Sequence, residues 1–336
     1  MGKKKILLIG GSLNQTSMMH KISMHLNDYD CYFSAYYTHG FIDSLVQKGM
    51  LGFCILGGNF KKSTEEYFKK HNLKMDYKGL NNDYDLVVTC SDLIIPPNIR
   101  GKKIILVQEG MTDPEDLAYY ITKYLKFPRW ITTANTGTSD AFDLFCVASK
   151  GYKNLFIKKG VDETKIRVTG IPNFDNAESY YANDFPHKNF VLVATTDMRE
   201  TFKYENRAKF IKHCVRIADG KQLIFKLHPN ENFARAREEV AKYAPGALVF
   251  STGNINEMIA NCDVLITRFS SVVYVGMALG KKVYSEFDLN ELEELLPIQN
   301  GGTSALNIAE LAIELLEENY NPVPIKEKVD ETELVN

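Results

Sequence analysis

In the second half of the chain, polar residues suited to holding an anion follow short apolar runs. The run "QLIFK" ends in Leu227-His228-Pro229-Asn230, and "DVLIT" ends in Thr267 followed by Arg268-Phe269-Ser270-Ser271. A third run, "FVLVA", ends in Thr195-Thr196-Asp197, with Arg199 close behind. If each run is a strand feeding a helix, these residues stand where unpaired N–H groups and the helix dipole attract phosphate. Ser270 and Ser271 would add two hydroxyl donors, His228 a ring N–H, and Arg268 or Arg199 positive charge. Thr267 and Pro229 flank these groups and belong to the same grip, with His228 one strand away from the serines. Each group also has a plainer reading. A serine before a helix is an ordinary N-cap, and His-Pro is an ordinary turn.

The first half offers neutral partners. After "KILLIG", Gly11, Ser12, Asn14, Gln15 and Thr16 form a loop whose glycines would let a substrate approach the backbone and whose amides and hydroxyls suit a sugar. A tight turn with a helix cap explains the same residues. The loop is not GxGxxG, and no acidic residue closes a second strand in the NAD-binding manner, which argues against a dehydrogenase. "NTGTSD" (135–140), preceded by Arg129 and Trp130, is a further polar loop, and Tyr36, Tyr37 and His39 are weaker candidates. His20, His71, His187 and His213 show no ligand spacing. No metal or cofactor is expected, because a helix dipole, His228 and the serines can stabilise a departing phosphate.

The elements that must position these residues follow from pattern. Short Val/Ile/Leu runs ("KILLIGG", "YDLVVTCSD", "KKIILVQEG", "DLFCVASKG", "KIRVTGIP") alternate with helical periodicity, as a parallel sheet covered on both faces requires. The rhythm lapses over "PNFDNAESYYANDFPHK" and restarts at "NFVLVATTD". The expected architecture is α/β, with two doubly wound Rossmann-like domains facing a central cleft. Their expected bounds are 1–171, a linker at 172–188, a second domain at 189–320 that ends on the helix "SALNIAELAIELLEEN", and a charged tail at 321–336. A chain of 336 residues suits two such domains.

Composition bounds the function. The apolar share of 45% and charged share of 24% are those of a globular protein, and a net charge of −2 argues against a nucleic-acid partner. Six scattered cysteines without CxxC spacing read as reduced, mostly buried thiols in a cytoplasmic protein. The apolar start "KILLIG" is too short for a signal peptide, and no stretch approaches the roughly 18 apolar residues that span a bilayer. A place at the inner face of the membrane remains compatible.

"FKLHP", followed by "DVLITRFSSVVYVGMALGKKV", resembles the C-terminal half of GT-B glycosyltransferases. The likeness is to bacterial sialyltransferases, capsule Kdo transferases and CDP-glycerol glycerophosphotransferases, whose His-Pro and Ser-Ser motifs hold the donor nucleotide and its phosphate. "RVTGIPNFD" (167–175) is similar to the interdomain stretch of this superfamily, UDP-GlcNAc 2-epimerases included. The resemblance implies that Gln108-Glu109-Gly110 stands where the sialyltransferase group carries its acidic base motif, so that Glu109 would deprotonate the acceptor, with Asp113 the next choice. Inverting transfer needs one such carboxylate, although both acids could merely cap the helix that "TDPEDL" opens. Arg268 stands where glycerophosphotransferases usually show an acid, and Ser270-Ser271-Val272 replaces the epimerases' Gly-Gly-Glu-type loop. The expected activity is metal-independent transfer of a sugar from a CMP-, CDP- or UDP-linked donor to a glycan acceptor, free or lipid-linked, in bacterial capsule or lipopolysaccharide synthesis. An NDP-sugar 2-epimerase, a glycerophosphotransferase and a non-catalytic nucleotide-binding or scaffold protein are the alternatives.

Overall fold

The computed structural model describes residues 2–48, 55–113, 115, 117–125, 128–200 and 203–317. The chain forms two compact units, one from residues up to Asn173 and again from Thr303, the other from Phe174–Gly302.

The first unit runs β1 (Lys5–Gly10), α1 (Leu13–Ser23), β2 (Asp30–Ala35), α2 (Gly40–Gln47), α3 (Gly58–Lys70), β3 (Leu86–Thr89), β4 (Lys103–Val107), α4 (Leu117–Leu125), β5 (Leu144–Val147), α5 (Lys150–Lys159) and β6 (Ile166–Val168). Its strands are ordered β2-β1-β3-β4-β5-β6, and every pairing is parallel. Every residue of β3 and β5 is buried, because helices cover both faces of the sheet. The edge strand β2 starts half-buried with "DCY", a mixed pattern that the sequence reading passes over.

The second unit runs β7 (Val191–Ala194), α6 (Arg207–Ala218), β8 (Leu223–Lys226), α7 (Phe233–Tyr243), β9 (Leu248–Phe250), α8 (Ile255–Asn261), β10 (Val264–Thr267), α9 (Val272–Ala278), β11 (Lys282–Tyr284) and α10 (Leu289–Leu295). Its parallel sheet is ordered β11-β10-β7-β8-β9. The orders set where ligands can go. Successive connections leave β1 in opposite directions, to β2 and later to β3, which opens a crevice at the carboxyl ends of β1 and β3. In the second unit the reversal falls between β7 and β10.

Two expected boundaries are corrected. The last described helix, α11 (Ser304–Leu316), belongs to the first unit, not to the second domain as its place in the sequence suggested. It packs on α1, while Lys4 Nζ donates to Leu316 O (2.6 Å) and Lys103 Nζ to Leu315 O (2.8 Å). Its apolar face, with Ile308, Ala312 and Leu315 buried, would suit either sheet, so periodicity could not assign it. Nor is 172–188 a free linker. From Phe174 onward it belongs to the second unit, and Phe174, Tyr180 and Phe185 pack against the cluster around Phe190 and Leu265.

Cys90, Cys146, Cys214 and Cys262 are buried free thiols and Cys31 is half-buried. Burial pushes the Cys146, Cys214 and Cys262 thiols up to about 12, where they are inert at neutral pH. Cys54 and the expected tail lie outside the described residues. Among the described residues no helix is long and apolar enough to cross a membrane.

Candidate functional site

In the first unit the crevice at β1 and β3 gathers residues from three loops. Ser12 caps α1 by accepting from Gln15 N (3.1 Å), and its hydroxyl donates to Glu109 Oε1 (2.8 Å) just past β4. Gln15 Nε2 donates to Glu109 Oε2 (2.5 Å), while Gln15 Oε1 accepts from Gly11 N (2.7 Å). Asn14 Nδ2 donates to Glu109 O (3.2 Å). One donor on each oxygen fixes the plane of the Glu109 carboxylate and leaves each oxygen a lone pair. Gln108, the departure from a paired acidic motif, is structural: its amide donates to Gly110 O (2.7 Å) and accepts from Ala148 N (2.9 Å), setting the loop that presents Glu109.

Two members of the expected loop do other work. A Cβ on Gly11 would lie 2.8 Å from Gln15 Oε1 and 3.0 Å from Ile55 Cβ, and one on Gly10 would lie 2.9 Å from Thr16 Cα. The glycines therefore admit the first turn of α1 against β1, not a substrate. Thr16 is fully buried; it donates to Ser12 O (2.6 Å) and meets the Thr64 hydroxyl. Ser12, Asn14 and Gln15 reach Glu109, whereas Gly11 and Thr16 hold the turn.

Glu109 and Gln15 line a cavity of about 630 Å³. Asp113 also lines it and accepts from the Thr133 hydroxyl; Pro114, the expected start of the next helix, lies outside the described residues. Most of the remaining wall is apolar, including Ile42, Leu56, Leu93 and Phe156. Tyr36, at the end of β2, contributes to the wall, and its hydroxyl accepts from Ile94 N (3.1 Å). The 135–140 loop is held from beneath by Asp92, which is buried and accepts from Gly137 N (2.7 Å), Ser139 N (2.8 Å) and Arg129 Nη2 (3.1 Å). Thr136, Trp130 and Ile131 reach the cavity from this segment.

In the second unit, Thr267 pairs with Ala194 across β10 and β7, so the loops after these strands leave side by side. The hydroxyls of Thr196 and Thr267 are buried, at 6% and 2% exposure, without a hydrogen-bond partner among the described residues. An unsatisfied buried hydroxyl costs about 1–3 kcal/mol, so two at a strand-order reversal make this crevice the candidate site of the second unit. Ser271 opens α9 in helical geometry and makes no side-chain cap bond, which removes the capping explanation for its hydroxyl. Ser270 contributes only its carbonyl, to Val273 N.

His228 follows β8, and β7 lies between β8 and β10, so His228 and the serines stand two strands apart, about 10 Å, rather than one. Its Nδ1 accepts from Asn230 N (3.2 Å), which places the neutral ring's proton on Nε2. Behind the His-Pro turn, buried Glu231 accepts from His228 N (2.9 Å), the Thr195 hydroxyl and Arg207. Pro229 has no N–H to offer a phosphate and shapes the turn through its fixed backbone angle.

The arginines expected to carry donor charge are already paired. Arg268 donates to both oxygens of Glu286 (2.6 and 3.0 Å) and lies 3.5 Å from Glu205. Arg199 forks onto Glu239 (2.7 and 2.9 Å) and lies 3.4 Å from Glu205. Bidentate pairs of this kind satisfy the guanidinium, so both residues brace the loops instead of facing a phosphate with free charge. Sequence reasoning missed Glu205 and Glu231 because, although Arg207 and His228 are near them in the chain, their links to Arg268 and Thr195 form only on folding. The Asp-x-Asp triplets Asp28-Tyr29-Asp30 and Asp83-Tyr84-Asp85 stand at the amino ends of β2 and β3, away from both crevices.

Two Rossmann-like units with these parallel sheets define a GT-B fold. Among known proteins, the chain is 24% identical to a processive diacylglycerol beta-glucosyltransferase of Staphylococcus carnosus, over 94% of this chain and 84% of that one. Its structure matches a UDP-N-acetylglucosamine 2-epimerase from Listeria monocytogenes, described as putative, with a TM-score of 0.59 at 15% identity, covering 96% and 99% of the two chains. It also matches the wall teichoic acid polymerase TagF, with a TM-score of 0.53 at 14% identity over 94% and 90%. No family model matches the chain.

Proposed function

We propose that the chain is a glycosyltransferase that moves a sugar from a nucleotide-activated donor to an acceptor hydroxyl. The observation that carries this reading is Glu109: a carboxylate oriented by Ser12 and Gln15, on the wall of a cavity large enough for an acceptor.

Glu109 takes the proton of the acceptor hydroxyl as that oxygen attacks the anomeric carbon. The bond from that carbon to phosphate breaks, and its electron pair leaves on the phosphate oxygen. The products are the glycoside, the nucleoside phosphate and protonated Glu109. The donor lies across the ends of β10, β7 and β8, where Thr196, Thr267, Ser270 and Ser271 offer hydroxyls and His228 its Nε2–H. The spacing of about 10 Å suits a ligand as long as a nucleoside diphosphate better than one phosphate gripped from both sides. Hydroxyl and N–H donors at the leaving phosphate support a metal-independent departure, a single carboxylate base supports inversion, and the likeness to a diacylglycerol glucosyltransferase supports a place in envelope polysaccharide or glycolipid synthesis.

Replacing Glu109 by Gln tests the reading. Turnover is expected to fall by about 10²–10⁴-fold with nucleotide affinity unchanged; normal turnover would remove the base. The Listeria neighbour's name favours one other activity, 2-epimerisation. Appearance of the C2 epimer from UDP-N-acetylglucosamine alone would establish that instead.

A further inference from the structure

The cavity beside Glu109 is built for something other than a sugar chain. A saccharide bound there would bury several hydroxyls, each costing about 1–3 kcal/mol if unpaired. Apart from the groups around Glu109 and a few hydroxyls such as those of Ser91 and Thr136, the wall offers Ile42, Leu56, Phe60, Leu93, Ile94 and Phe156, none of which can pair them. An aliphatic chain gains about 0.8 kcal/mol for each methylene buried in the same space, and about 630 Å³ falls in the range of small-molecule sites.

The cavity's rim continues onto an exposed apolar surface. Trp130 and Ile131 line the cavity and are 46% and 45% exposed. They lie against α4, whose Leu117, Tyr120, Tyr124 and Leu125 are exposed at helical spacing, so that they share one face. The opposite side is anchored by buried Tyr119 and Thr122. Leucines with Tyr and Trp rings are the composition of a face that rests at the boundary of lipid headgroups and acyl chains.

We propose that the acceptor is an amphiphile carrying a hydroxyl. Its aliphatic chain enters the cavity past Trp130 and Ile131, while the α4 face rests on the bilayer that supplies it. This rests on the reading of Glu109 as the base, and it replaces a free glycan as the acceptor class.

Trp130 is the chain's single tryptophan, so its fluorescence reports this one rim. A monomeric dibrominated fatty acid should quench it saturably, and Ile94→Phe, which fills the cavity, should weaken that apparent affinity at least tenfold. Ile42→Phe serves the same purpose if the first variant does not fold. Flotation with phosphatidylcholine–phosphatidylglycerol vesicles should be lost in the Leu117→Asp, Tyr124→Asp double variant, with quenching by the monomer retained. Absence of saturable quenching, or quenching indifferent to both filling variants, would overturn the chain site. A dimer in light scattering that the double variant dissolves, together with no flotation, would assign the face to a second copy and overturn the bilayer proposal. Quenching that persists while Glu109→Gln turns over normally would remove the base and keep the chain site. No quenching, with Glu109→Gln inactive on a water-soluble glycan, would do the reverse.

Discussion

Thr267 and Thr196 each bury a hydroxyl that no described residue bonds, and that imbalance can be measured. Thr267→Val keeps the shape and removes the unsatisfied oxygen, so the variant should be as stable as the parent or up to about 1 kcal/mol more stable by thermal unfolding. The same change should weaken nucleotide binding about tenfold by calorimetry, and undiminished affinity would take Thr267 out of the site. Ser270 and Ser271 were legible from the sequence as a pair at a helix start. Their release from capping was not, because it depends on Ser271 already having turned into the helix. Arg268 shows the opposite limit. Its residue type suggested an anion partner, but its charge is met by Glu286 and Glu205, which only folding brings near.

Buried carboxylates hold the loops at the level of elements. Removing Glu231 takes from Arg207 one of its two carboxylate partners, with Glu205 remaining at 3.0 Å, and from Thr195 and the His228 backbone one of two acceptors each. Because Glu205 still meets the Arg207 charge, Glu231→Ala should cost about 1–3 kcal/mol in denaturant unfolding; no measurable loss would mean the turn is held otherwise. Asp92→Ala should free the segment carrying Trp130 and shift its emission to the red, and an unchanged spectrum would contradict that anchoring role. Asp76, preceding β3, is buried, which disfavours its charge. Hydrogen bonds from Tyr84, Asn82, Asn81 and Leu80 nevertheless bring its carboxyl below the ordinary value. A depressed folded value means its contribution is complete above the ordinary carboxylate range and is lost as pH falls through the folded value. Asp76→Asn should therefore lower stability at neutral pH and flatten its acid dependence; parallel pH curves would exclude the effect. Most strands were legible as apolar runs, whereas β2 was not, because an edge strand needs less continuous burial. The cavity was invisible in the sequence because its walls come from separate loops that no local pattern links.

Across the whole molecule, separate cores let each unit report its own ligand. A thermal-shift series with CMP, CDP, UDP and GDP should raise the transition of the second unit for one base class, by about 2.7 kcal/mol at a hundredfold excess over Kd. No shift with any of them would remove the donor site. The GT-B architecture was legible from alternation and the His-Pro and Ser-Ser motifs, whereas the ownership of α11 was not, since an amphipathic helix does not name the sheet it covers. That ownership bears on synthesis. Asp175 O accepts from the N–H groups of Asn300 and Gly301, tying the two ends of the second unit together as a closed insertion. On the ribosome, residues 174–302 are complete before α11 is made, so the inserted unit can fold while the one that began first still lacks a wall. The half of the protein translated first is thus the half finished last.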